Sequence, residues 1–497
     1  MQPFVIGIDI GTGSTKAVAL DTKGQVIATA QHHYPSYSPQ PGYNEQEPQA
    51  VWEAFVKCVQ DISEATKANP AGIGLSSAMH SVIMVDAEGQ ALTPMITWAD
   101  TRNADIAEEL YYSEDASLLY MNTGTPVHAM SPLAKLIWLH QYEAEKYKQA
   151  HKFISIKEFI WFKLFRDFQV DYSIASATGL FNIHKLKWDE HALSLAHIST
   201  ERLSKPMSTG YYRKDVSNEI SKLLQVDTDT PFYIGASDGC LANLGSFALD
   251  KGVAALTIGT SGAVRIASQK PVQNFNAMIF NYRLDEQLYI SGGPINNGGS
   301  VVQWLLKNFL SKETISDEDY EELFKTVEAV PAGCNGLLFL PYLTGERAPV
   351  WDAKSCGSFF GVKQQHTQAH FLRAAVEGVC FALNEVLLKL QEAGELSQIN
   401  ISGGFIHSKE WVQILANITG KRICLVQCED ASAVGAAYLT MKHLQLIKDY
   451  KDLKPVDATA ILPKETHRPL YVQQFRIYEK LYASLKDRMH ELYELHQ

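Results

Sequence analysis

Short apolar runs at the start of the chain predict a β-meander. Residues 5–10 read VIGIDI, residues 17–21 read AVALD and residues 26–30 read VIATA, and the stretches between them are rich in glycine, serine, threonine and lysine. Runs of β-prone residues bounded by turn residues are typical of strands. We therefore expect strand, turn, strand, turn, strand here, rather than a strand that leads into a helix.

Longer segments carry apolar residues at helical spacing. They predict helices at 48–66, 132–148 and 368–392, an amphipathic helix after Arg468, and a helix after Gly404 that buries Trp411, Ile414, Leu415 and Ile418. Strand-like runs such as GIGLSS, SVIMVD, LYISGGP and GLLFLPYL alternate with these helices. This alternation indicates an α/β protein with mainly parallel sheets covered on both faces.

A second copy of the first hairpin lies half a chain downstream. Residues 253–268, VAALTIGTSGAVRIAS, align with residues 5–20 and pair Ile258-Gly259-Thr260 with Ile10-Gly11-Thr12. Two similar hairpins so far apart indicate an internal duplication. The best boundary falls within residues 237–252, so we expect one domain at residues 1–245 and a second at 246–497.

The glycine turns of the two hairpins are candidate phosphate-binding elements. The first turn has neither the P-loop spacing nor the third glycine of a dinucleotide fingerprint, since that position is Lys16. Facing turns could instead hold a polyphosphate between two domains through backbone N–H groups and hydroxyls. Paired glycines in ISGGF, residues 401–405, would let a ring or a phosphate approach the backbone closely. An ordinary hairpin turn is the alternative for any one of these elements alone.

The amino-acid composition limits the partners and the cellular compartment that we expect for this protein. The net charge of −11 argues against nucleic acid or an anionic membrane, and an anionic substrate would need local donors. Seven cysteines without a paired framework, with Cys424 and Cys428 closest, indicate free thiols in a reducing cytoplasm. We expect no signal peptide, and no apolar stretch approaches the ~18 residues of a membrane span.

Several strings together resemble the FGGY carbohydrate kinases. They are DIGTGSTK, GASDGCLANLG, LTIGTSGA, ISGGF and GSFFGVKQQHTQAHFLRAAVE. The resemblance implies two duplicated domains of the actin, hexokinase and Hsp70 type, which are ribonuclease H-like, with a cleft between them. It also implies transfer of a phosphoryl group from ATP, with Mg²⁺, to a carbohydrate hydroxyl. A homodimer is expected as well.

The resemblance assigns roles to individual residues. Asp238 is similar to the catalytic base that accepts the proton of the sugar hydroxyl, although an Asp-Gly turn closing a strand is the structural alternative. Asp9 is similar to the carboxylate that helps hold Mg²⁺, and a buried strand aspartate is its alternative. The expected nucleotide-binding residues are Thr12, Gly13, Ser14, Thr15, Lys16, Gly259, Thr260, Gly299, Gln303, Gly403, Gly404 and Ser408. Ser408 could equally cap a helix, and Gln303 could be a polar residue on an amphipathic helix.

The sugar end of the site is expected at Met79, His80, Trp98, Arg102, Asp238 and Arg347. Strings such as SSAMHSV, ITWADTR and PYLTGERAPVW most resemble the gluconate kinase branch of the family, which implies conversion of D-gluconate to 6-phospho-D-gluconate. The substrate carboxylate would need a cationic partner, for which Arg102, Arg347 and His80 are candidates; Arg102 could instead pair with Asp100. A xylulose kinase or another ketose or polyol kinase is the alternative, and a non-metabolic ATPase of the actin or Hsp70 type is a remote one.

Overall fold

The computed structural model describes residues 3–426, 430–453 and 459–495. Its first half is built on a six-stranded sheet that begins with the predicted meander. Strand Phe4–Ile10 pairs antiparallel with Ser14–Asp21, which pairs antiparallel with Val26–His33. On the other side of Phe4–Ile10 the order continues with Gly72–Ser77 and Phe232–Ser237, both parallel, and ends with Tyr212–Arg213, which is antiparallel.

The second half repeats this arrangement in a seven-stranded sheet. Its hairpin consists of Val253–Ile258 and Gly262–Ser268, and Tyr289–Ile295 pairs antiparallel with the second of these strands. The full strand order is Phe280–Arg283, Tyr289–Ile295, Gly262–Ser268, Val253–Ile258, Gln398–Ser402, Arg422–Leu425 and Ala460–Ile461. The predicted duplication is confirmed, because both sheets place an antiparallel hairpin beside two parallel strands.

The expectation of mainly parallel sheets is wrong. In each sheet only two neighbouring strand pairs are parallel, and the remaining pairs are antiparallel. The physical reason lies in the hairpins, because a short turn can only join antiparallel strands. The first half has three successive strands joined by short turns, and the second half has two such hairpins, Val253–Ile258 with Gly262–Ser268 and Phe280–Arg283 with Tyr289–Ile295. The helices cover the parallel portion, where crossover connections are required.

The helices match the predicted segments closely, except that one predicted helix is divided into two. The first half contains Pro48–Thr66, Ala104–Tyr112, Ala116–Thr123, Pro132–Tyr142, Ala144–Gln149, Ile156–Phe165, Tyr172–Ser176, Glu190–Leu195, Asn218–Leu224 and Asp238–Gly245. The second half contains Gly299–Asn308, Asp317–Ala329, Gln368–Leu390, Lys409–Thr419, Ala431–His443 and Arg468–Leu495. The helix predicted at 132–148 divides at Glu143, whose φ of −125° and ψ of 38° are not helical.

Five short strand pairs complete the structure. They are Glu45–Gln46 with Met95–Ile96, Ile83–Val85 with Lys152–Ile154, Gln169–Asp171 with Lys205–Met207, Phe181–Asn182 with Lys187–Trp188, and Leu338–Leu340 with Ser358–Phe360. Of the cysteines, those at 58, 240, 334, 356, 380 and 424 are free thiols, and Cys428 lies outside the described residues. In the described part of the chain, no helix combines the length and the apolar character needed to cross a membrane.

One helix of the second half packs on the sheet of the first. Helix Ala431–His443 lies against strands Phe4–Ile10 and Gly72–Ser77 and against helix Asp238–Gly245. The approach is so close that a Cβ atom at Gly7 would lie 1.9 Å from the carbonyl oxygen of Ala433. Apolar residues of both halves therefore share one core, which includes Val5, Ala236, Leu241, Ala433 and Ala437.

Candidate active site

Asp238 directly follows strand Phe232–Ser237 and is the first residue of helix Asp238–Gly245. It does not lie in an Asp-Gly turn, which was the structural alternative. Ser237 caps this helix by accepting from the backbone N–H of Cys240. The carboxylate is half-buried, and its Oδ1 accepts a hydrogen bond from the Gly239 N–H at 2.6 Å. Burial raises the pKa of Asp238, whereas the Gly239 N–H and the charges of Arg265 and Lys157 oppose that rise.

Lys157 supports the strand that presents Asp238. Its Nζ donates to Asp171 Oδ2 at 2.8 Å and to the carbonyl oxygen of Ala236 at 2.9 Å. Both members of this ion pair are buried. No pattern in the sequence indicates this role, because a lysine in the segment ISIKEFIWF is typical of a helix surface and its partner lies fourteen residues away.

The first glycine turn joins two antiparallel strands, and hydrogen bonds from within the turn and from Trp98 hold it in place. The Gly11 N–H donates to Ser14 O at 3.0 Å, and Trp98 Nε1 donates to Thr12 Oγ1 at 2.9 Å. Thr12 and Gly13 remain accessible, but the side chain of Thr15 is buried with its hydroxyl 3.4 Å from that of Tyr34. Of the predicted stretch from Thr12 to Lys16, Thr15 therefore contributes to the core.

Three carboxylates surround the end of this turn. Asp9 accepts from Ser76 Oγ at 2.7 Å, and Lys16 Nζ lies 2.5 Å from Asp430 Oδ1, which belongs to the second half. Burial, then Asp238 and then Asp430 raise the pKa of Asp9 to about 7, while Ser76 and Lys16 oppose the rise. A carboxyl group whose pKa is raised by neighbouring carboxylates is stabilised in its ionised form by a cation beside it.

The second turn, the start of helix Gly299–Asn308 and the paired glycines converge on one surface. The Gly299 N–H donates to Gly259 O at 2.8 Å, and a Cβ atom at Gly403 would lie 2.6 Å from Ile258 O. Thr260 and Gln303 are exposed there. Ser408 acts as the N-cap of helix Lys409–Thr419, since its hydroxyl accepts from the Trp411 N–H at 3.3 Å.

Three glycines of this region have no structural reason to be glycine. Of the 32 glycines in the chain, only Gly13, Gly259 and Gly404 both avoid a left-handed φ and have no atom within 4 Å of where a Cβ would stand. All three are glycines predicted to contact nucleotide. Open space beside a backbone is what a closely approaching phosphate or ring requires. The residues present therefore fit a nucleotide between the two turns and the paired glycines.

This observation makes a testable distinction between neighbouring glycines. We expect Gly404→Val to leave the thermal unfolding midpoint unchanged while weakening ATP binding about 10-fold or more, because the side chain meets only the ligand. Gly403→Val is the contrasting variant: with its φ of 105° and its contact with Ile258 O, it should lower both stability and binding. Calorimetric titration and thermal unfolding measure the two effects, and normal ATP binding by Gly404→Val would contradict the assignment.

His80 is buried and neutral. Its Nδ1 lies 2.8 Å from the carbonyl oxygen of Ala177 and donates to it, so Nε2 is left to accept from the Tyr282 hydroxyl at 3.4 Å. Burial and then the charge of Lys135 lower the pKa of His80 to about 3, against the effect of the Ala177 bond. A neutral imidazole fixed at both nitrogens can shape the pocket but does not provide a positive charge.

Arg102 is already neutralised within the protein. Its guanidinium donates to Asp100 Oδ2 at 2.7 Å and to Glu45 Oε1 at 2.6 Å, and it stacks 3.6 Å above the ring of Tyr43. The pairing of Arg102 with Asp100, which was the structural alternative, is what the structure shows. Two carboxylates leave this cation little net attraction for a substrate carboxylate.

Arg347 differs because its acceptors are uncharged. Its Nε donates to Asn296 Oδ1 at 2.7 Å and its Nη2 to the carbonyl oxygen of Ile295 at 3.2 Å. The guanidinium carbon lies 5.5 Å from the ring of Trp98, which belongs to the first half. Among the described residues no carboxylate forms an ion pair with this side chain, so its charge is available to an anion.

Lys135 is a further residue that the sequence did not identify. Its buried Nζ donates to the carbonyl oxygens of His80, Thr97 and Met130 at 2.6, 2.7 and 2.9 Å. One ammonium group thus ties together the loops that carry His80 and Trp98. The string MSPLAKLIWLHQ contains it, but nothing in that string reveals that its partners are distant carbonyls.

The two halves meet across this set of residues. Met79 and Arg265 both lie against Gly239, the residue after Asp238: a Cβ atom at Gly239 would be 3.4 Å from Met79 Cε and 3.3 Å from Arg265 Nε. Trp98 faces Arg347, and Lys16 pairs with Asp430. The Asp238 carboxylate, the two glycine turns and two arginines without a carboxylate partner among the described residues therefore lie where the halves meet.

Comparison with known proteins agrees with this arrangement. Residues 4–245 match the N-terminal domain, and residues 254–444 the C-terminal domain, of the FGGY family of carbohydrate kinases. The chain belongs to the FGGY family of carbohydrate kinases. It is therefore a sugar kinase, and use of ATP follows from the family. This membership also removes the non-metabolic ATPase from the alternatives.

Individual FGGY relatives cover nearly the whole chain. A gluconokinase of Bacillus subtilis (strain 168) is 38% identical over 98% of this chain and 98% of its own. The crystal structure of a gluconate kinase from Lactobacillus acidophilus has a TM-score of 0.93 at 33% identity, covering 98% of each chain. A ligand-bound xylulose kinase from the same species has a TM-score of 0.95, also at 33% identity, covering 99% of this chain and 100% of its own. These structures confirm the two-domain α/β fold but do not separate the two substrates.

Proposed function

We propose that this kinase phosphorylates D-gluconate to 6-phospho-D-gluconate with Mg²⁺-ATP. The observation that carries the proposal is Arg347, a guanidinium on the sugar side of the site without a carboxylate partner among the described residues. A neutral ketose has no group that would compensate such a charge, whereas a sugar acid has a carboxylate that compensates it. The gluconokinase relative at 38% identity supports the same substrate.

The residues present fit the roles that phosphoryl transfer requires. Mg²⁺-ATP, when bound, supplies the phosphoryl group and partial neutralisation of its charge. Asp238 accepts the proton of the 6-hydroxyl, and burial, which raises the pKa of its carboxyl group, makes its carboxylate a stronger base. Backbone N–H groups of the two turns bind phosphate, and Trp98 fixes the first turn through Thr12. The two halves exclude water between them.

Asp9 is the residue proposed to orient the magnesium ion. The described residues contain no group of three or more His, Cys, Asp or Glu side chains arranged as a complete metal site. A sparse site suits Mg²⁺, which keeps several waters and binds one or two carboxylates together with substrate phosphates. Asp9, with Asp430 nearby and a raised pKa, provides such a carboxylate.

The test is an ADP-release assay across gluconate, xylulose, ribulose, glycerol and glucose. We expect the highest kcat/KM on gluconate. A higher kcat/KM on xylulose or another neutral ketose would transfer the assignment to the xylulose kinase branch. That branch is the specific alternative because the structure is also similar to a xylulose kinase. The assay should include magnesium at several concentrations, because activity without any divalent ion would contradict the role given to Asp9.

The pH dependence of gluconate recognition is predicted from the state of His80. If a protonated His80 bound the carboxylate, discrimination for gluconate would fall as pH rises through ~6.5. With a pKa of about 3, the imidazole stays neutral, so we expect the ratio of kcat/KM for gluconate to that for neutral D-gluconamide to be constant from pH 6 to 8. The ratio cancels titrations that affect both substrates equally, and a several-fold fall over this range would restore His80 as the cation.

The homodimer and the cytoplasmic location expected from the sequence stay predictions. Light scattering at several protein concentrations measures the first, and fractionation of cells that express the protein measures the second. Neither outcome alters the chemistry proposed for Asp238 and Arg347.

A further inference from the structure

Arg265 is a cation in the site for which neither the sequence resemblance nor the phosphate chemistry provides a role. It belongs to strand Gly262–Ser268 and is half-buried. The guanidinium group of Arg265 makes one hydrogen bond to a described residue, a long one from Nη1 to Thr257 Oγ1 at 3.3 Å. Within the described ranges no carboxylate forms an ion pair with it, although Asp238 is near enough to stabilise its charge.

Three other buried cations of this protein have carboxylate partners, and a fourth, Lys135, has three carbonyl acceptors. Arg102 has two carboxylate partners, Arg373 pairs with Glu377, and Lys157 pairs with Asp171. A desolvated guanidinium with one weak hydroxyl acceptor is costly unless a further acceptor completes its shell. Arg265 is therefore a donor whose remaining N–H groups are available to something that is not part of the protein.

The position of Arg265 places it on the sugar side of the site. It lies three residues beyond Gly262, so its backbone is about 10 Å along the strand from the end of the phosphate turn. Its Nε lies over Gly239, on the side where Met79 also contacts that glycine. The glycine at position 292 leaves room for the Arg265 side chain, because a Cβ atom there would lie 3.0 Å from Arg265 Cγ.

Arg265 and Arg347 both contact strand Tyr289–Ile295: Arg265 pairs with Gly292, and Arg347 donates to the carbonyl oxygen of Ile295 three residues further along. Burial lowers the pKa of Arg347, Glu346 and Tyr282 oppose this, and the charge of Arg265 adds to the lowering. Among the described residues neither guanidinium forms an ion pair with a carboxylate, and both have hydrogen bonds only to uncharged acceptors, so together they provide a site for an anion. The buried Tyr282 ring lies within the electrostatic reach of both.

We propose that Arg265 is a specificity-determining residue that binds the substrate carboxylate together with Arg347. This inference rests on the proposed function, since it assumes an acid substrate. The paired cations select a sugar acid over a neutral sugar of the same length, and they provide the local attraction that a chain of net charge −11 otherwise lacks.

The experiment compares D-gluconate with D-gluconamide, a neutral amide of nearly the same shape. kcat/KM is measured on both for the wild type, Arg265→Gln, Arg265→Lys and the control Arg422→Gln, an exposed arginine of the same sheet. We expect Arg265→Gln to lose about 10- to 100-fold on gluconate and little on gluconamide. Arg265→Lys should show an intermediate loss, because an ammonium lacks the planar fork, and Arg422→Gln should match the wild type.

Other outcomes overturn the proposal in identifiable ways. An equal loss on both substrates would mean that Arg265 serves the transferred phosphoryl group, and a loss that is restored by raising the pH would mean that it acts through Asp238. Unchanged discrimination in both variants would also refute it. If Arg265→Gln fails to fold by thermal unfolding, Arg265→Lys carries the test. A wild type that prefers a neutral sugar refutes the proposed function itself, which distinguishes the two failures.

Discussion

Replacing Asp238 by asparagine is expected to lower kcat for sugar phosphorylation by about 10²- to 10⁴-fold, which is the usual contribution of a general base. The amide has the shape of the carboxylate, and its oxygen can still accept the hydrogen bond from the Gly239 N–H. It cannot take the proton of the sugar hydroxyl. Stability and nucleotide affinity should therefore change little, and steady-state kinetics with thermal unfolding and calorimetric titration measure all three quantities.

The matched control is Asp229→Asn, which makes the same chemical change at an exposed aspartate of the same half. It should retain the kcat of the wild type. If Asp238→Asn also retained a near-normal kcat, the base would lie elsewhere and Asp238 would serve to begin its helix. A fall in ATP affinity of the same size as the fall in kcat would instead indicate a role in nucleotide binding.

Substituting alanine for Gly435 is expected to produce a large loss of stability, because the added methyl group falls at the contact between the halves. A Cβ atom at Gly435 would lie 2.0 Å from Leu241 O, and one at Gly245 would lie 2.0 Å from Ala431 O. The two helices touch backbone to backbone, so neither can accommodate a methyl group by rotating a side chain. Overpacking of this kind costs about 1–3 kcal/mol or more in the free energy of unfolding.

Activity should fall together with stability in Gly435→Ala. The helix that must move is Asp238–Gly245, whose first residue is the proposed base, and a shift of about 1 Å can cost 10²-fold in rate. The control for stability is Gly404→Ala, where the added methyl group meets no protein atom. Thermal unfolding and kcat of folded protein measure the two effects, and a stable, fully active Gly435→Ala variant would show that the contact can relax.

The sequence predicted the features that are encoded locally. Both hairpins follow from β-prone runs separated by short turns, and helix Pro48–Thr66 agrees with its prediction at both ends. The duplicated fold, the carbohydrate kinase family and the convergence of Gly259, Gly299 and Gly403 followed from strings that can be compared directly. The hairpins and the helix depend on residues that are neighbours in the chain, whereas the duplication, the family and the convergence followed from comparing strings.

The features that the sequence could not predict depend on distant partners. Nothing near Lys135 shows that its ammonium group binds three carbonyls, and nothing near Arg102 shows that Glu45 joins Asp100 in neutralising it. The string VAALTIGTSGAVRIAS contains Arg265 but does not show that, among the described residues, no carboxylate forms an ion pair with it. Pairing between elements far apart in sequence decides each of these cases.

The position of helix Ala431–His443 has a consequence for how the protein is made. The first sheet is complete once Ser237 has been synthesised, but the helix that covers one of its faces begins 194 residues later, at Ala431. At about 5–20 residues per second, a ribosome needs about 10 to 40 s to reach it. During that time Val5, Ala236 and Leu241 lack the apolar partners that the second half contributes to their core. The nascent chain therefore presents an apolar surface to which a chaperone could bind, and the first half closes its core only when helix Ala431–His443 has been made and packs on the sheet.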